Sequence, residues 1–338
     1  ACINLGACVS GCAQGAKAST DITYWPVAQR KGVEVRTGCR VQQITLDDEG
    51  LADGVLYFDE DGDLQEQKAE IVVVACNGIG TPRLLLNSKS DRFPDGLANS
   101  SGLVGKNLMF HPVTWAAGVF EEPVFGRSGP SGCILWSHEF NNTDRSRGFV
   151  RGYMLQASRG MAPAQTALVG AIRGRIPWGE GHHEAYASTF EHMASLVAIC
   201  EDLPEEHNTV TLDPDLTDSN GIPAPKITYT LSDNSLKMLA HASESAERVM
   251  RAAGATDVML DPQLRLSGWH LLGTARMGDD PKTSVVNSWG RTHDVKNLFI
   301  IDGSVFVTAG AVNPTSTIQA LALHGADSIK KNLESLFD

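Results

Sequence analysis

Five consecutive apolar residues, Ile71-Val72-Val73-Val74-Ala75, lead into the glycine-rich run Asn77-Gly78-Ile79-Gly80-Thr81-Pro82. An apolar run without polar alternation marks a parallel strand buried on both faces, because crossover helices cover both sides of such a sheet. The turn after it opens onto a helical apolar segment, Arg83-Leu84-Leu85-Leu86. Far downstream, Leu298-Phe299-Ile300-Ile301 forms a second such run and ends at Asp302-Gly303. The carboxyl ends of buried strands are where α/β proteins hold their ligands. These two runs constrain the outer portions of the chain to an α/β architecture.

The texture between them differs. From about 113 to 261, short alternating runs with many Gly and Pro residues predict an antiparallel sheet, and Lys226-Ile227-Thr228-Tyr229-Thr230 is one such run. A helix is expected near 233–253, with Leu236, Leu239, Ala240, Ala246, Val249 and Met250 on its apolar face. Nearer the start, Ser19-Thr20-Asp21 reads as a helix opening that continues to 31, and Val33–Arg36 and Val41–Ile44 read as strands. Val55–Phe58 followed by Asp61-Gly62 predicts a β-hairpin. Asp59, Asp61, Asp63 and Glu70 imitate a calcium loop, but Leu64 stands where the sharp turn of an EF-hand needs glycine, so a solvated hairpin tip is the reading adopted. The final helix should bury Ile318, Leu321, Ala322, Ile329 and Leu333.

With 338 residues, 42% of them hydrophobic, the chain can bury a large core and form roughly two domains. A net charge of −12 argues against binding a phosphate backbone, which needs clustered Lys and Arg, so nucleic acid is not expected as a partner. No apolar run approaches the ~20 residues of a membrane-spanning helix. Seven cysteines in a chain of this length do not read as a disulfide scaffold, and Cys39, Cys76, Cys133 and Cys200 read as small core residues.

Three segments near the end carry the chemistry: Trp269-His270-Leu271-Leu272-Gly273-Thr274, then the strand ending in Asp302-Gly303, then Asn313-Pro314-Thr315 at the start of a helix. In this order and spacing they resemble the C-terminal segment of the glucose-methanol-choline (GMC) family of FAD oxidoreductases. Asn77–Pro82 resembles that family's second signature, although Asn87-Ser88-Lys89 replaces its usual Ser-Gly ending. Val104–Pro112 resembles its flavin-covering loop, with Phe110 where Asp is common. The resemblance implies a discontinuous FAD-binding α/β domain at 1–112 and 262–338, and an α+β substrate domain built on an antiparallel sheet at 113–261.

The same resemblance makes His270 the base that takes the hydroxyl proton of an alcohol, a role suited to imidazole near neutrality. It makes Asn313 the partner that hydrogen-bonds the developing alkoxide, and it puts Val41, Ala75, Asn107, Asp302, Gly303, Asn313, Pro314 and Thr315 beside FAD. Asn313 could instead be only a helix cap. His111 is read as structural before chemical, and the adjacent His182-His183 pair lacks the spacing of metal ligands. The implied reaction is oxidation of a CH–OH group, on a sugar, polyol or other alcohol, with hydride passing to flavin and a dehydrogenase favoured over an oxidase. No G-x-G-x-x-G run occurs, although a dinucleotide pyrophosphate needs such glycines to approach backbone closely. The chain is therefore read as the later part of such an enzyme, completed by an N-terminal FAD-binding segment or chain. Two alternatives are an incomplete chain inactive alone, and a lyase on the same fold without net redox chemistry. No compartment is assigned, bacterial cytoplasm and periplasm both being open.

Cys2, Cys8 and Cys12 form a C-x5-C-x3-C cluster. Similar spacing occurs in the gluconate, fructose and FAD-glucose dehydrogenase branch, where it implies a 3Fe-4S cluster relaying electrons to a partner. The alternative is a structural Cys-rich loop.

Overall fold

The computed structural model describes residues 2–6, 8, 11–126, 128–129, 133–158, 160–265 and 268–337, without the side chains of 133 and 134. In chain order the strands are β1 (Arg40–Leu46), β2 (Ala52–Phe58), β3 (Leu64–Lys68), β4 (Val72–Val74), β5 (Val113–Val119), β6 (Cys133–Ser137), β7 (Tyr153–Ser158), β8 (Met193–Cys200), β9 (Thr209–Thr217), β10 (Pro223–Thr228), β11 (Asp257–Asp261) and β12 (Leu298–Ile300). The helices are α1 (Tyr24–Arg30), α2 (Asn77–Asn87), α3 (Pro163–Ile172), α4 (His182–Thr189), α5 (Asp233–Ala252) and α6 (Thr315–Lys331). Among the described residues no helix is long and apolar enough to cross a membrane.

The chain packs as two compact units. One comprises Ala1–Val35, Pro112–Cys200 and Asp233–Ser267; the other comprises Arg36–His111, Glu201–Ser232 and Gly268–Asp338. These spans differ from the expected domains at two places, since 1–35 packs with the central segment and 201–232 with the outer ones.

The first unit is built on an antiparallel sheet in the order β11-β5-β8-β7-β6. Helix α5 lies against β5 and β8 and buries Ser235, Met238, Leu239, Ala242, Ser243, Ser245, Ala246 and Met250. Leu236 and Val249, expected on the buried face, are 46% and 45% exposed. Small residues let the helix approach the sheet closely, and the Tyr153 hydroxyl donates to Ser245 Oγ at 3.1 Å and lies 2.8 Å from His241 Nδ1. The run Val33–Arg36 is not a strand, and α1 begins at Tyr24 with no side-chain cap from the Ser-Thr-Asp segment.

The second unit contains the meander β1-β2-β3, the hairpin β9-β10 and a two-stranded parallel sheet of β4 and β12. The Asp59 carboxylate accepts the backbone N–H groups of Asp61 and Asp63 and so closes the expected hairpin tip. In the parallel pair Val72 faces Leu298 and Val74 faces Ile300, and all four are buried with Ile44, Leu85 and Leu97 in one core. Val73 points to the other face and is 44% exposed, so β4 is buried on one side and not both. Helix α2 begins at Asn77, earlier than expected, and carries Pro82 inside it. Proline has no N–H for the carbonyl four residues back. That carbonyl, on Gly78, is satisfied instead by the Thr274 hydroxyl at 2.8 Å. In α6 only Gly325 is fully buried; Ile318, Leu321, Ala322 and Ile329 are half-buried, and Leu333 lies beyond the helix and is exposed.

Candidate active site

The chemistry-bearing segments of the second unit meet along a continuous strip. Its centre is a short antiparallel ladder in which Met109 and Leu272 exchange both backbone hydrogen bonds, at 3.0 and 3.1 Å. Continuing that register sets His111 opposite His270, since residues directly opposite across a ladder have adjacent side chains. The regular pattern breaks there: His111 N–H donates to Trp269 O at 3.3 Å, and His270 takes a left-handed φ of +62°. Such a conformation in a non-glycine residue costs of order 1–3 kcal/mol and persists where the surroundings dictate it.

The rings meet edge to face, with centroids 4.7 Å apart and an interplanar angle of 84°. Their Nδ1 atoms are 2.9 Å apart, and Nε2 of His111 lies 2.6 Å from the carbonyl oxygen of Gly310. His111 is fully buried; burial first, and the neighbouring His270 second, push its pKa down to about 4. Burial also holds His270 below the ordinary imidazole value. The pair is thus kept neutral at physiological pH. Beside it, Phe110 packs its ring against Tyr229 at 4.7 Å, and the Tyr229 hydroxyl donates to Asp202 at 2.6 Å. The Asp202 carboxylate also accepts the Phe110 N–H at 3.3 Å, so a distant Asp supports the loop at the position where Phe110 stands.

From the histidines the strip runs both ways. Toward the C-terminus, the Gly310 carbonyl held by His111 lies three residues before Asn313. Asn313 is exposed, Pro314 is buried and Thr315, also exposed, opens α6. The N-cap is Pro314 and no side chain caps the helix, which leaves the positive end of the helix dipole and its free N–H groups available. In the other direction, Gly273 N–H donates to Gly303 O at 3.2 Å, and a Cβ on Gly303 would lie 2.7 Å from Leu271 O. A Cβ on Gly273 would lie 2.2 Å from Asn107 O, so glycine is required at both positions for this close packing.

Asp302 is buried with its carboxylate fully engaged. One oxygen accepts the Asn77 N–H at 3.0 Å and the Thr81 hydroxyl, and the other accepts the Ser304 N–H at 2.8 Å. Its side chain therefore ties the end of β12 to the start of α2. Ala75, exposed, follows β4 at the same end of the parallel pair. Val41 is 39% exposed and lines a cavity of about 270 Å³ with Cys39, Cys76, Gly80, Arg83 and Asn87.

Two buried polar atoms on this strip, Asn107 Nδ2 and Ser304 Oγ, have no hydrogen-bond partner among the described residues. Buried donors are nearly always satisfied, so a group bound beside either atom would meet an open hydrogen-bonding partner. Asn107 reaches its position through a left-handed φ of +59°. The unpartnered Asn107 and Ser304 atoms, the uncapped start of α6 and the exposed Val41 and Ala75 are polar and apolar groups left open to a ligand.

The expected cysteine cluster is not brought together. Cys2 Sγ exchanges contacts with Asn4 within its own turn at 3.6 and 3.3 Å, and Cys12 Sγ accepts the Ala16 N–H at 3.3 Å. Among the described residues, no group of three His, Cys, Asp or Glu side chains is arranged to hold a metal ion. The Cys2 and Cys12 sulfurs thus meet polar groups close by in sequence.

Residues 1–113 and 204–322 match two family profiles, each described as GMC oxidoreductase. The chain belongs to the GMC oxidoreductase family. It is 42% identical over 337 residues to 2-methyl-1,2-propanediol dehydrogenase of Mycolicibacterium austroafricanum, covering 98% of this chain and 60% of that protein. It is 31% identical to the fructose dehydrogenase large subunit of Gluconobacter japonicus (91% and 56% covered) and 32% identical to paromamine 6'-oxidase of Streptomyces fradiae (99% and 60% covered). The chain thus spans about 60% of the length of these curated relatives. In fold it is similar to pyridoxine 4-oxidase from Mesorbium loti, with a TM-score of 0.62 at 16% identity over 91% of this chain and 60% of that one. GMC oxidoreductases are FAD-dependent, and the strip described above has the donors and open surfaces that such a cofactor would take.

Of the residues the sequence singled out, Asp302, Gly303 and His270 lie along this hydrogen-bonded strip, and Asn107 packs its carbonyl against Gly273. Asn313 to Thr315 follow Gly310 at the start of α6, Val41 lies in β1 and Ala75 follows β4. Sequence reasoning left His111 and Ser304 out of the site. The signal for His111 was its place in a short apolar run, Leu108-Met109-Phe110-His111, able to ladder with His270-Leu271-Leu272.

Proposed function

We propose that this chain carries the catalytic portion of an FAD-dependent dehydrogenase acting on the CH–OH group of a diol, polyol or sugar. The observation that carries the reading is the hydrogen-bonded continuity from Asp302-Gly303 through the His270–His111 pair to the loop before Asn313. The 42% identity to a diol dehydrogenase, above the 32% to an oxidase, supports both the substrate class and the dehydrogenase reading.

When bound, FAD supplies the hydride acceptor. His270, neutral because it is half-buried, takes the hydroxyl proton. Asn313 donates a hydrogen bond to the oxygen as charge develops on it; one well-placed donor is worth about 3 kcal/mol. The free N–H groups at the start of α6 favour negative charge near Thr315. Asn107 Nδ2 and Ser304 Oγ hold the cofactor, and Val41 and Ala75 give it apolar contact. The second unit is the flavin domain, and the five-stranded sheet of the first unit is the substrate domain.

The test is anaerobic mixing of the flavin-loaded protein with a panel of small diols, polyols and sugars. Bleaching of the flavin absorbance with formation of the carbonyl product is expected. Retained flavin that no alcohol reduces, or cleavage of a cyanohydrin without bleaching, would overturn the reading.

A further inference from the structure

The contacts of the two histidines determine where their protons sit. A carbonyl oxygen only accepts, so the 2.6 Å contact between Gly310 O and His111 Nε2 places a proton on that nitrogen. A neutral imidazole carrying its proton on Nε2 has a bare lone pair on Nδ1. His111 is neutral at physiological pH because it is fully buried and has no carboxylate among the groups acting on it. Its Nδ1 faces His270 Nδ1 at 2.9 Å, a distance that requires one proton between the two atoms. That proton belongs to His270, since His111 Nδ1 has none. Nε2 of His270 is then left bare.

We propose that His111 is a positioning residue that locks His270 in the Nδ1–H tautomer, so that the base presented to the alcohol is Nε2. Free neutral imidazole prefers the opposite tautomer, and a histidine without such a partner would present a protonated nitrogen half-blocked for proton uptake. The device uses the logic by which a carboxylate orients the base of a Ser-His-Asp triad, with a neutral acceptor in place of a charged one. It also serves the charged state. Once His270 has taken a proton at Nε2, its Nδ1–H becomes a stronger donor to His111, and His111 passes the polarisation on to Gly310 without changing its own protonation. Gly310 opens the turn before Asn313, so the same chain of hydrogen bonds holds the base and its partner loop in one register.

The functional consequence rests on His270 being the proton acceptor proposed above; the tautomer itself does not. The test is nitrogen-15 NMR of the intact flavin-loaded protein labelled only at histidine, at pH 7. The expected spectrum shows His270 protonated at Nδ1 and bare at Nε2, with His111 the reverse. In His111→Leu the His270 signal should shift toward the Nε2–H form, and kcat should fall about tenfold with KM little changed, the size of effect that loss of one ordinary hydrogen bond gives. His111→Gln, whose amide oxygen can accept in the same place, should restore the Nδ1–H form. A wild-type His270 protonated at Nε2, or a tautomer unchanged in His111→Leu, would overturn the proposal. The predicted tautomers together with an undiminished rate in His270→Gln would leave this proposal standing and overturn the catalytic reading instead.

Discussion

His111 and His270 stand 159 residues apart in the chain and their rings touch, whereas Cys2, Cys8 and Cys12 fall within one short loop and do not form a group. The histidines are brought together where two backbone segments meet in a ladder, and the Gly310 carbonyl fixes the orientation of one of them. The Cys2 and Cys12 sulfurs instead meet polar groups two and four residues away in their own segments. Proximity in sequence did not make a site; register between two distant segments did. A site assembled in this way has consequences that differ sharply between the two groups.

The largest lies at His270. Replacing it with Gln removes the proposed proton acceptor and should lower the rate of alcohol-dependent flavin reduction by about 10²–10⁴-fold, measured by anaerobic stopped-flow with flavin content held equal. A loss under tenfold would place the base elsewhere.

Stability against pH comes next. His111 binds a proton near pH 4 when folded and near 6.5 when free, so between those values the unfolded chain carries a proton that the folded chain does not. Stability from this group is therefore intact above about pH 6.5, falls as pH drops and levels off below about 4. At about 1.4 kcal/mol per pH unit the loss amounts to roughly 3 kcal/mol. Urea unfolding at pH 7 and pH 4.5, in the parent protein and in His111→Leu, isolates that slope from the carboxylates, and the variant should show the shallower dependence.

Thr274 probes the scaffold under the histidine segment. Thr274→Val leaves the Gly78 carbonyl, freed by Pro82, without a donor and should cost about 2 kcal/mol in unfolding free energy. The smallest effect belongs to the cysteine loop: exposed Cys2→Ser should change stability by less than about 0.5 kcal/mol. A larger loss would show that the loop is held by more than its local turns.

The elements that the sequence made legible were those set by local pattern. The Asp61-Gly62 tip placed the β2–β3 hairpin, and the apolar runs at 71–75 and 298–301 gave the two parallel strands. Pattern failed where tertiary packing decided the matter. The buried face of α5 mixes Ser and Ala with Met238, Leu239 and Met250, and Leu236 and Val249 face outward. Val33–Arg36 alternates like a strand but has no partner strand. Of the candidate site, His270, Asp302 and Asn313 stand out by motif, because each sits in a short segment with a recognisable chemical order. His111 could not, since its role comes from a ladder closed over 159 residues and from a carbonyl 199 residues away.

The most direct test of the account is the pH dependence of flavin reduction by an alcohol, measured anaerobically in the parent protein and in His270→Gln. Burial holds the His270 pKa below 6.5, and the base is active only when unprotonated. The parent rate should therefore be level near neutrality and fall on an acidic limb that lies below pH 6.5. The slower His270→Gln protein should lack that limb. A limb that survives the substitution, or lies above 6.5 in the parent, would show that another group takes the proton.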